Sequence, residues 1–399
     1  MLIVARYFWS DFGEANSARE LATELVKLGV ELVTVIHILE TKDNTGAISI
    51  RSENSLLKRL PQMASYLLSK RAARILRSIQ EDLGNDCVVH CHNLFPDAFL
   101  GNELERRRAP FVTTIHGTTT MRGELQRFIK EKPVNVRELS YRLGCYGFSL
   151  DAIRPFLKRS KGHFIALSAR NAGDIMRQGF PASRVHIIPN GVDLEVYKPY
   201  DSYNAKKQLN LPVDKSVVLT VCAIEPRKGL HVLIKAANSI VRDFPEAYFV
   251  IVGKVSSNLW WYVSYLKKLL YKFNLNDHFR FTGFVAKKDL PLYMNAADLF
   301  TLPSYAEGAP LVIANAMACG CPVVATEGAS ADYLPQYLTV SNGDYNELAQ
   351  KISFLLLNSR MRRSIGKEMR EKALNEFSWA KIARRTYTLY EKIINDDSG

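Results

Sequence analysis

Residues 303–326, PSYAEGAPLVIANAMACGCPVVAT, decide the fold of this chain. A loop that carries Glu307 leads into an apolar segment from about Leu311, which predicts a helix, and Gly320 ends that helix. A buried-type strand follows at once. An acid and a run of backbone amides therefore lie at a helix N-terminus, at the carboxyl end of a parallel strand. Open α/β sheets bind ligands at such edges, and helix N-termini favour phosphate.

The size and composition of the chain indicate a two-domain soluble protein. The 399 residues exceed the size at which a single core stops growing, and 47% apolar with 23% charged residues is ordinary for a globular protein. No run of eighteen apolar residues predicts a membrane-spanning helix. The first residues, MLIVARYFWSDFG, lack a basic leader and a cleavage site, so we interpret them as a strand and predict a cytoplasmic protein.

The formal net charge of +13 indicates an anionic partner, and the basic residues are clustered. Residues 54–80 contain lysines and arginines but no acid, with interleaved leucines. This pattern is typical of a helix on an anionic membrane surface and equally of a helix packed on its sheet, so peripheral attachment at the inner face of the cell membrane stays open. For 259–273 we favour packing on the sheet. No base-reading motif is present, so a nucleic acid partner is not expected.

The segment DCVVHCHN at 86–93 offers two interpretations. Its cysteines and histidines are zinc ligands by type, but adjacent residues of a strand point to opposite faces, so Cys91 and His92 cannot easily share one ion. We therefore interpret the segment as a buried strand that ends in a ligand-facing loop, with no metal. The six cysteines fall mostly in apolar segments, as buried free thiols do.

The chain alternates between strands and helices in two halves, which predicts parallel sheets with helices on both faces. The predicted strands of the first half lie near 1–8, 31–38, 86–91, 110–115, 163–167 and 185–193. Those of the second half are predicted at 216–222, 247–252, 278–282, 298–302 and 322–326. The predicted helices cover 16–28, 168–179, 229–242, 258–273, 288–296, 345–357, 359–375 and 378–394. Polar residues near 197–209 separate the halves.

Local signals predict three details of the first half. Ser17 and Glu20 match a capping box at a helix start, and Ser168 is a candidate N-cap of a later helix. Asn190-Gly191 favours a turn with positive φ. The domain boundaries follow from these elements: 1–196, 197–376, and a C-terminal helical segment at 377–399.

Several motifs in order resemble family 4 retaining glycosyltransferases over nearly the whole chain. They are the loop around Gly13, VVHCHN at 88–93, TTIHG at 113–117, IPNGVD at 188–193, EPRKG at 225–229 and AADLFTLPSYAEGAPL at 296–311. The resemblance implies the GT-B architecture, with two Rossmann-like doubly wound domains facing a central cleft. It also implies a C-terminal helix that returns to the N-terminal domain.

In the first half, the resemblance assigns roles to two residues. Gly13 precedes a helix, where a glycine lets the backbone approach a ligand and the helix end favours negative charge. Relatives show paired glycines next to the donor diphosphate, whereas this chain has one, and an ordinary turn stays an alternative. The histidine that matches His116 in relatives touches the transferred sugar near the reacting carbon, so His116 is a candidate catalytic residue.

In the second half, Arg227 and Lys228 follow a strand and precede a helix, where two cations can pair with a diphosphate. A solvated surface pair is the alternative. The position at the carboxyl end of a strand favours a functional role. Relatives usually carry another arginine five or six residues before this lysine, but Ala223 and Cys222 occupy those positions here. We expect Arg227 to compensate, or the diphosphate to be bound less tightly.

The opening segment supplies the rest of the donor site. Glu307 is a candidate catalytic residue, because its carboxylate can bind donor-sugar hydroxyls and stabilise a developing oxocarbenium ion. The amides of Gly308, Ala309 and Leu311 can contact sugar or phosphate. In relatives a second glutamate, eight residues after the first, binds the ribose. Asn315 replaces it here and can still accept one hydrogen bond.

The sequence therefore predicts a retaining glycosyltransferase that moves a hexose from a nucleotide-diphosphate sugar to a sugar, glycan or lipid-linked acceptor. No cofactor and no essential metal are expected, because cations and helix dipoles can replace a metal ion in this fold. Two alternatives stay open: a nucleotide-sugar epimerase of the same fold, and a non-catalytic protein that binds a sugar nucleotide.

Overall fold

The computed structural model describes residues 2–5, 13–30, 34–38, 48–50, 87–92, 110–116, 162–255, 259–330 and 332–397. The chain divides into two compact units, Met1–Gly191 with Trp379–Gly399, and Val192–Ser378. The predicted boundaries at 196 and 376 differ from these by five and two residues (196 against 191, 376 against 378). We describe each unit by itself, and the predicted cleft between the domains stays a prediction.

The first unit contains a seven-stranded sheet in which every described pairing is parallel. The strands follow the spatial order β3-β2-β1-β4-β5-β6-β7. Their bounds are β1 Leu2–Ala5, β2 Thr34–Ile38, β3 Ile48–Ile50, β4 Val89–His92, β5 Phe111–Ile115, β6 His163–Ala166 and β7 Val185–Ile187. The described helices of this unit are α1 Gly13–Lys27, α2 Ala169–Arg177 and a last helix, Trp379–Asp397.

The second unit contains a six-stranded parallel sheet in the order β10-β9-β8-β11-β12-β13. Its strands are β8 Ser216–Val221, β9 Ala247–Val252, β10 Phe279–Gly283, β11 Leu299–Leu302, β12 Val323–Thr326 and β13 Thr339–Val340. Its helices are α3 Ser202–Gln208, α4 Leu230–Asp243, α5 Trp260–Lys272, α6 Leu290–Ala296, α7 Leu311–Ala318, α8 Glu327–Ser330, α9 Tyr345–Leu357 and α10 Ser359–Glu376. The helix Trp379–Asp397 is α11.

The apolar runs of the second sheet explain its position between two layers of helices. β11 and β12 are buried at every residue, and β8 is buried at all but its first residue. Strands that are covered on both faces consist of continuous apolar runs, because neither face is exposed to water. The parallel α/β prediction for both halves is therefore confirmed.

Both sheets reverse their strand order at one point. In the first unit β1 lies between β2 and β4, and in the second unit β8 lies between β9 and β11. The chain after β1 and β4, or after β8 and β11, therefore runs to opposite sides of the sheet. In open α/β sheets this switch point is where ligands bind, beyond the carboxyl ends of the strands.

The last helix belongs to the first unit. It packs on α1, and Tyr390 of α11 is hydrogen-bonded to His90 of β4. Gly191 lies directly against the indole of Trp379, since a Cβ built on Gly191 would be 2.4 Å from a ring carbon. The return of the C-terminal helix to the N-terminal unit is thus a feature of the structure.

Two local predictions are wrong. α1 begins at Gly13, four residues before Ser17, so Ser17 and Glu20 form no capping box. Ser17 is buried instead, and its hydroxyl donates to Asn190 Oδ1 at 2.5 Å. Neither Asn190 nor Gly191 adopts a positive φ, because this tertiary hydrogen bond and the Trp379 contact fix the segment.

Other differences concern short elements. The polar stretch 197–209 contains α3, whose N-cap Asp201 accepts a hydrogen bond from the Asn204 amide. β3, α8 and β13 are also absent from the predictions, because two to four residues show too little periodicity to be recognised. Ser168 caps α2 as predicted, accepting from the Asn171 amide.

The remaining predictions concern the membrane, through residues 54–80 and any spanning helix, and the state of the cysteines. Residues 54–80 lie outside the described residues. Within the described part of the chain, no helix combines the length and the apolarity needed to cross a membrane. Of the six cysteines, the five that the structure describes are buried free thiols.

The close packing of Gly191 on Trp379 generates a prediction. Gly191→Ala should lower the free energy of unfolding by about 1–3 kcal/mol, because the added methyl group must displace the indole. Urea unfolding monitored by tryptophan fluorescence measures the change. Gly173→Ala is the matched control, since its Cβ meets only Arg177 Nη1 at 3.4 Å and helix α2 favours alanine. Equal effects of both substitutions would contradict the packing role of Gly191.

Candidate active site

The two loops at the switch point of the second unit are in direct contact. One loop follows β8 and contains a 3₁₀ turn, Pro226–Lys228, that ends at Gly229. The other follows β11. Gly229 has φ +68°, and a Cβ there would be 2.0 Å from the Pro303 carbonyl oxygen. The Tyr305 amide donates to the Arg227 carbonyl at 2.9 Å. Only glycine permits this approach of the backbones.

Four charged side chains from these loops form one cluster. Lys228 Nζ lies 2.6 Å from Glu307 Oε1, and Arg227 Nη1 lies 3.3 Å from Glu307 Oε2. The other guanidinium nitrogen of Arg227 pairs with Glu225 at 2.8 Å. Arg227 Nη1 also donates to the Ala306 carbonyl at 2.6 Å. The structure therefore brings together three of the predicted site residues, Arg227, Lys228 and Glu307.

The charges of this cluster decide the ionisation of Glu307. Burial alone would raise the pKa of the carboxyl group, but the attraction of Lys228 and Arg227 outweighs burial and lowers the pKa to about 2. Glu307 is therefore an anion over the whole physiological pH range. Its side chain is 11% exposed, so water screens these attractions only weakly.

The backbone that follows Glu307 leads directly into α7. Gly308 and Ala309, which follow Glu307 in the chain, are buried. Leu311 is the first residue of α7. The N-cap residue is Pro310, which makes no side-chain hydrogen bond to the helix, and its carbonyl accepts the Ile313 amide at 3.0 Å. Pro310 and Leu311 are half-buried, and a helix N-terminus of this kind suits an anionic group.

Asn315, the residue in place of the second acid, lies on the second turn of α7 and is 9% exposed. Its backbone carbonyl accepts the Cys319 amide at 3.1 Å as part of the helix end. The side-chain amide is uncharged, so it adds no negative charge to the cluster around Glu307.

The positions of the missing arginine are apolar in the structure as well. Cys222 is buried after β8, and burial raises the pKa of its thiol to about 12. The charges of Lys228, Glu307, Glu225 and Arg227 also act on this thiol. Arg227 is thus the arginine that the loop after β8 contributes to the cluster.

The structure adds residues that sequence reasoning missed. Glu225 forms an ion pair with Arg227. Glu225 belongs to the motif EPRKG, but the sequence alone offers no reason to assign it a role. His231 bridges two tyrosines, with Nδ1 at 2.9 Å from the Tyr262 hydroxyl and Nε2 at 3.2 Å from the Tyr305 hydroxyl. Gly328 accepts the Glu307 amide at 2.7 Å. No local pattern indicates the contacts of His231 and Gly328, because they join segments that are distant in sequence.

In the first unit, the structure places Gly13 and His116 beyond the carboxyl ends of strands. Gly13 is the first residue of α1, and His116 follows β5. His92, the last residue of β4, has Nδ1 at 3.1 Å from His116 Nε2, and the ring of His90 stacks on that of His92 at 4.3 Å. Burial lowers the pKa of His116 to about 4, so its imidazole is neutral at pH 7.

The comparisons with known proteins agree with this architecture. The model of Glycosyltransferase Family 4 matches residues 13–196, and the model of Glycosyl transferases group 1 matches residues 201–372. D-inositol 3-phosphate glycosyltransferase 2 of Catenulispora acidiphila is 31% identical over 242 residues, which are 58% of this chain and 56% of that protein. The chain thus matches little more than half the length of this relative.

Several solved structures are similar over nearly the whole chain. Sucrose-phosphate synthase of Thermosynechococcus elongatus has a TM-score of 0.79 at 21% identity and covers 99% of both chains. HepE of Anabaena, in complex with UDP, has a TM-score of 0.75 at 19% identity, over 98% of this chain and 99% of that one. The two parallel α/β units and these neighbours define the GT-B class of fold. The two models together cover both halves of the chain, which therefore belongs to the family 4 and group 1 glycosyltransferases that they describe.

The ion pairs of Glu307 generate a stability prediction. Glu307→Gln should lower the free energy of unfolding by about 1–3 kcal/mol, because Arg227 and Lys228 then lie beside each other without their shared anion. Urea unfolding measures the change. Glu195→Gln is the control: its carboxylate is 92% exposed and pairs with Lys198 at 3.6 Å, so the loss should stay below about 0.5 kcal/mol. An unchanged stability of Glu307→Gln would show that the cluster contributes nothing to folding.

Proposed function

We propose that the protein is a retaining glycosyltransferase that moves a hexose from a nucleotide-diphosphate sugar to a sugar, glycan or lipid-linked acceptor. The observation that carries this proposal is the cluster of Glu307, Lys228 and Arg227 at the switch point of the second unit. It combines a permanently ionised acid with two cations next to a helix N-terminus. This combination suits a ligand with hydroxyl groups on one side and a diphosphate on the other.

The cations and α7 would bind the diphosphate. Arg227 can present two N–H groups to phosphate oxygens, and Lys228 supplies a point charge. Both side chains are paired with carboxylates in the structure, so the cluster of two acids and two cations has no net charge. An incoming diphosphate must therefore compete with Glu225 and Glu307 for Arg227 and Lys228.

Glu307 would bind the hydroxyls of the transferred hexose. A carboxylate accepts hydrogen bonds only, and its low pKa keeps it in that form. Positive charge develops on the sugar ring as the bond to the phosphate breaks, and a fixed carboxylate stabilises that charge. Gly308, Ala309 and Leu311 would place their amides along the sugar and the phosphate, and Asn315 would accept one hydrogen bond from the ribose.

The relatives support the same ligand classes. The HepE structure is a complex with UDP, and the names of the other two proteins refer to sucrose phosphate and D-inositol 3-phosphate. The nucleotide agrees with a donor that carries a diphosphate. These names describe those proteins, and for this chain we propose only the shared chemistry, a nucleoside-diphosphate sugar.

In the proposed reaction, the bond between the sugar C1 and the donor phosphate oxygen breaks, and its electron pair stays on the leaving diphosphate. The acceptor hydroxyl forms the new bond to C1 on the same face and passes its proton to a donor phosphate oxygen. The leaving charge is held by Arg227, Lys228 and the first amides of α7. Because these groups supply the positive charge, we propose that the reaction needs no cofactor and no essential metal.

His116 and Gly13 would act in the first unit. We propose that His116 contacts the transferred sugar near C1 and that the start of α1 at Gly13 lies next to the donor diphosphate. The neutral imidazole of His116 can donate one hydrogen bond and accept one.

Turnover assays with the purified chain test the proposal. UDP- and GDP-hexoses are incubated with protein and EDTA, and release of the nucleoside diphosphate is measured. We expect release from one donor, at least about 100-fold slower in Glu307→Gln, because a fixed charge at the reacting carbon is lost. Lys267→Ala, on the exposed side of α5, is the control and should keep the wild-type rate. No release and no thermal shift with any donor would contradict the proposal.

The same assay separates the alternatives. An epimerase would release free nucleotide without any acceptor dependence, whereas a non-catalytic binding protein would show a thermal shift without turnover. With an acceptor sugar present, the NMR coupling of the anomeric proton reports whether the product keeps the configuration of the donor. An inverted product would overturn the retaining mechanism.

We also propose that the chain acts in the cytoplasm and contacts an anionic membrane surface through residues 54–80. The basic, acid-free sequence of that segment supports the proposal. Replacing Arg71, Arg74 and Arg77 by Gln should weaken sedimentation with phosphatidylserine vesicles at low salt by about 1 kcal/mol per charge. Lys267, Lys268 and Lys272, changed together to Gln, form the control with the same loss of charge. Equal losses in both variants would show a non-specific effect.

A further inference from the structure

Three histidines of the first unit, two of them buried and His116 half-buried, form a network that reaches the last helix. β4 carries His90 and His92 on one face, and His116 follows the neighbouring strand β5. His90 is hydrogen-bonded on both ring nitrogens, at 2.5 Å to the Tyr390 hydroxyl and at 2.7 Å to Thr114 Oγ1. His90 is fully buried, and its ring stacks on His92. The orientation of His92 is therefore set by a partner that is itself held on both sides.

His92 in turn contacts His116. The two rings lie 5.4 Å apart and nearly parallel, and His92 Nδ1 is 3.1 Å from His116 Nε2. His92 is 3% exposed, and its other ring nitrogen, Nε2, is buried without a hydrogen-bond partner among the described residues. Among the described residues, the side chain of His92 therefore makes one hydrogen bond, to His116, in addition to its stacking on His90.

All three imidazoles are neutral at physiological pH. Burial lowers the pKa of His116 to about 4, that of His90 to about 3, and that of His92 well below its usual value, with repulsion between the histidines adding to the effect for His90 and His92. A neutral imidazole carries one proton, so one of its nitrogens donates and the other accepts. The hydrogen bond between His92 and His116 therefore has only two arrangements.

The two arrangements of this hydrogen bond differ in whether the buried Nε2 atom of His92 carries a proton. If His116 donates from Nε2, the proton of His92 must be on Nε2, which leaves a buried N–H without an acceptor. If His92 donates from Nδ1, its Nε2 is an acceptor without a donor. In protein backbones, buried N–H groups without partners are rarer than buried acceptors without partners, and we apply the same order to the imidazole nitrogens, which favours the second arrangement. His116 then accepts on Nε2 and carries its own proton on Nδ1.

We infer that His92 is a positioning residue, which donates from Nδ1 to His116 Nε2 and thereby holds His116 as the Nδ1-protonated tautomer. His116 then presents an N–H donor to a ligand oxygen, such as a sugar hydroxyl, and no longer an acceptor. The inference rests on the proposed function for the catalytic role of His116. The hydrogen bond and the tautomer themselves do not depend on that role.

The tautomer is measured directly. Long-range ¹H–¹⁵N correlation spectra of the full chain with ¹⁵N-labelled histidine, assigned with His116→Asn, distinguish a bare ring nitrogen from a protonated one. We expect Nε2 of His116 to be bare and Nδ1 protonated between pH 6 and 8. In His92→Leu this pattern should change towards a mixture of tautomers. In His92→Asn it should be kept, because the asparagine Nδ2 occupies the place of the histidine Nδ1 and donates in the same way.

The matched control is a second pair of histidines in the same unit. His163 Nδ1 lies 2.9 Å from His186 Nε2, and the two rings are stacked at 5.2 Å. His186→Leu removes the same type of contact without touching His116. It should leave the His116 nitrogen shifts unchanged. If His92→Leu changes them no more than His186→Leu does, or if wild-type His116 is protonated on Nε2, the inference is overturned.

Turnover gives the second readout. In His92→Leu we expect kcat to fall about 10- to 100-fold, by analogy with the loss measured for partners that orient metal-ligating histidines, with little change in KM for the donor. His92→Asn should recover most of this loss. A purely structural role would lower thermal stability equally in both variants and give no such recovery. If the protein shows no turnover with any donor, the proposed function fails, whereas the NMR result still decides the tautomer.

Discussion

The contact between two loops at the carboxyl edge of the second sheet is the constraint on which the candidate site depends. Gly229, with its positive φ, allows the chain after β8 to touch the Pro303 carbonyl of the chain after β11. A backbone hydrogen bond from Tyr305 to Arg227 joins the same loops. Since both loops leave strands that flank the switch point, this contact determines the distance between the cations of one loop and the carboxylate of the other.

Burying the resulting cluster of four charges costs free energy, and this cost indicates that the cluster has a role other than stability. Charges lose hydration when they leave water, and a pair of this kind contributes little net stability compared with apolar side chains. Glu307, Lys228, Arg227 and Glu225 are nevertheless held together with most of their side-chain surface covered. Oriented charges in a place with little water act strongly on a ligand without further reorganisation. The cluster is therefore better explained by ligand binding than by folding.

The sequence predicted the long elements because their signals are local and repeated. Buried strands such as β9 appear as continuous apolar runs, and α9 lies at its predicted bounds. The wrong predictions concern residues whose partners are far away along the chain. Ser17 resembled a cap, but a tertiary hydrogen bond to Asn190, 173 residues later, determines its place inside α1. The same contact explains why Asn190 forms no turn with positive φ.

By itself, the sequence determined the α/β class, the two halves, the family and the residue types of the candidate site, because periodicity and motif order are properties of the chain. Only the tertiary structure decided which charges and rings meet. It joined Arg227 to both Glu225 and Glu307, and His90 to Tyr390 across 300 residues. The physical reason is that the spatial order of the strands and the return of the last helix bring these groups together. The spacing of residues along the chain specifies neither the strand order nor the position of that helix.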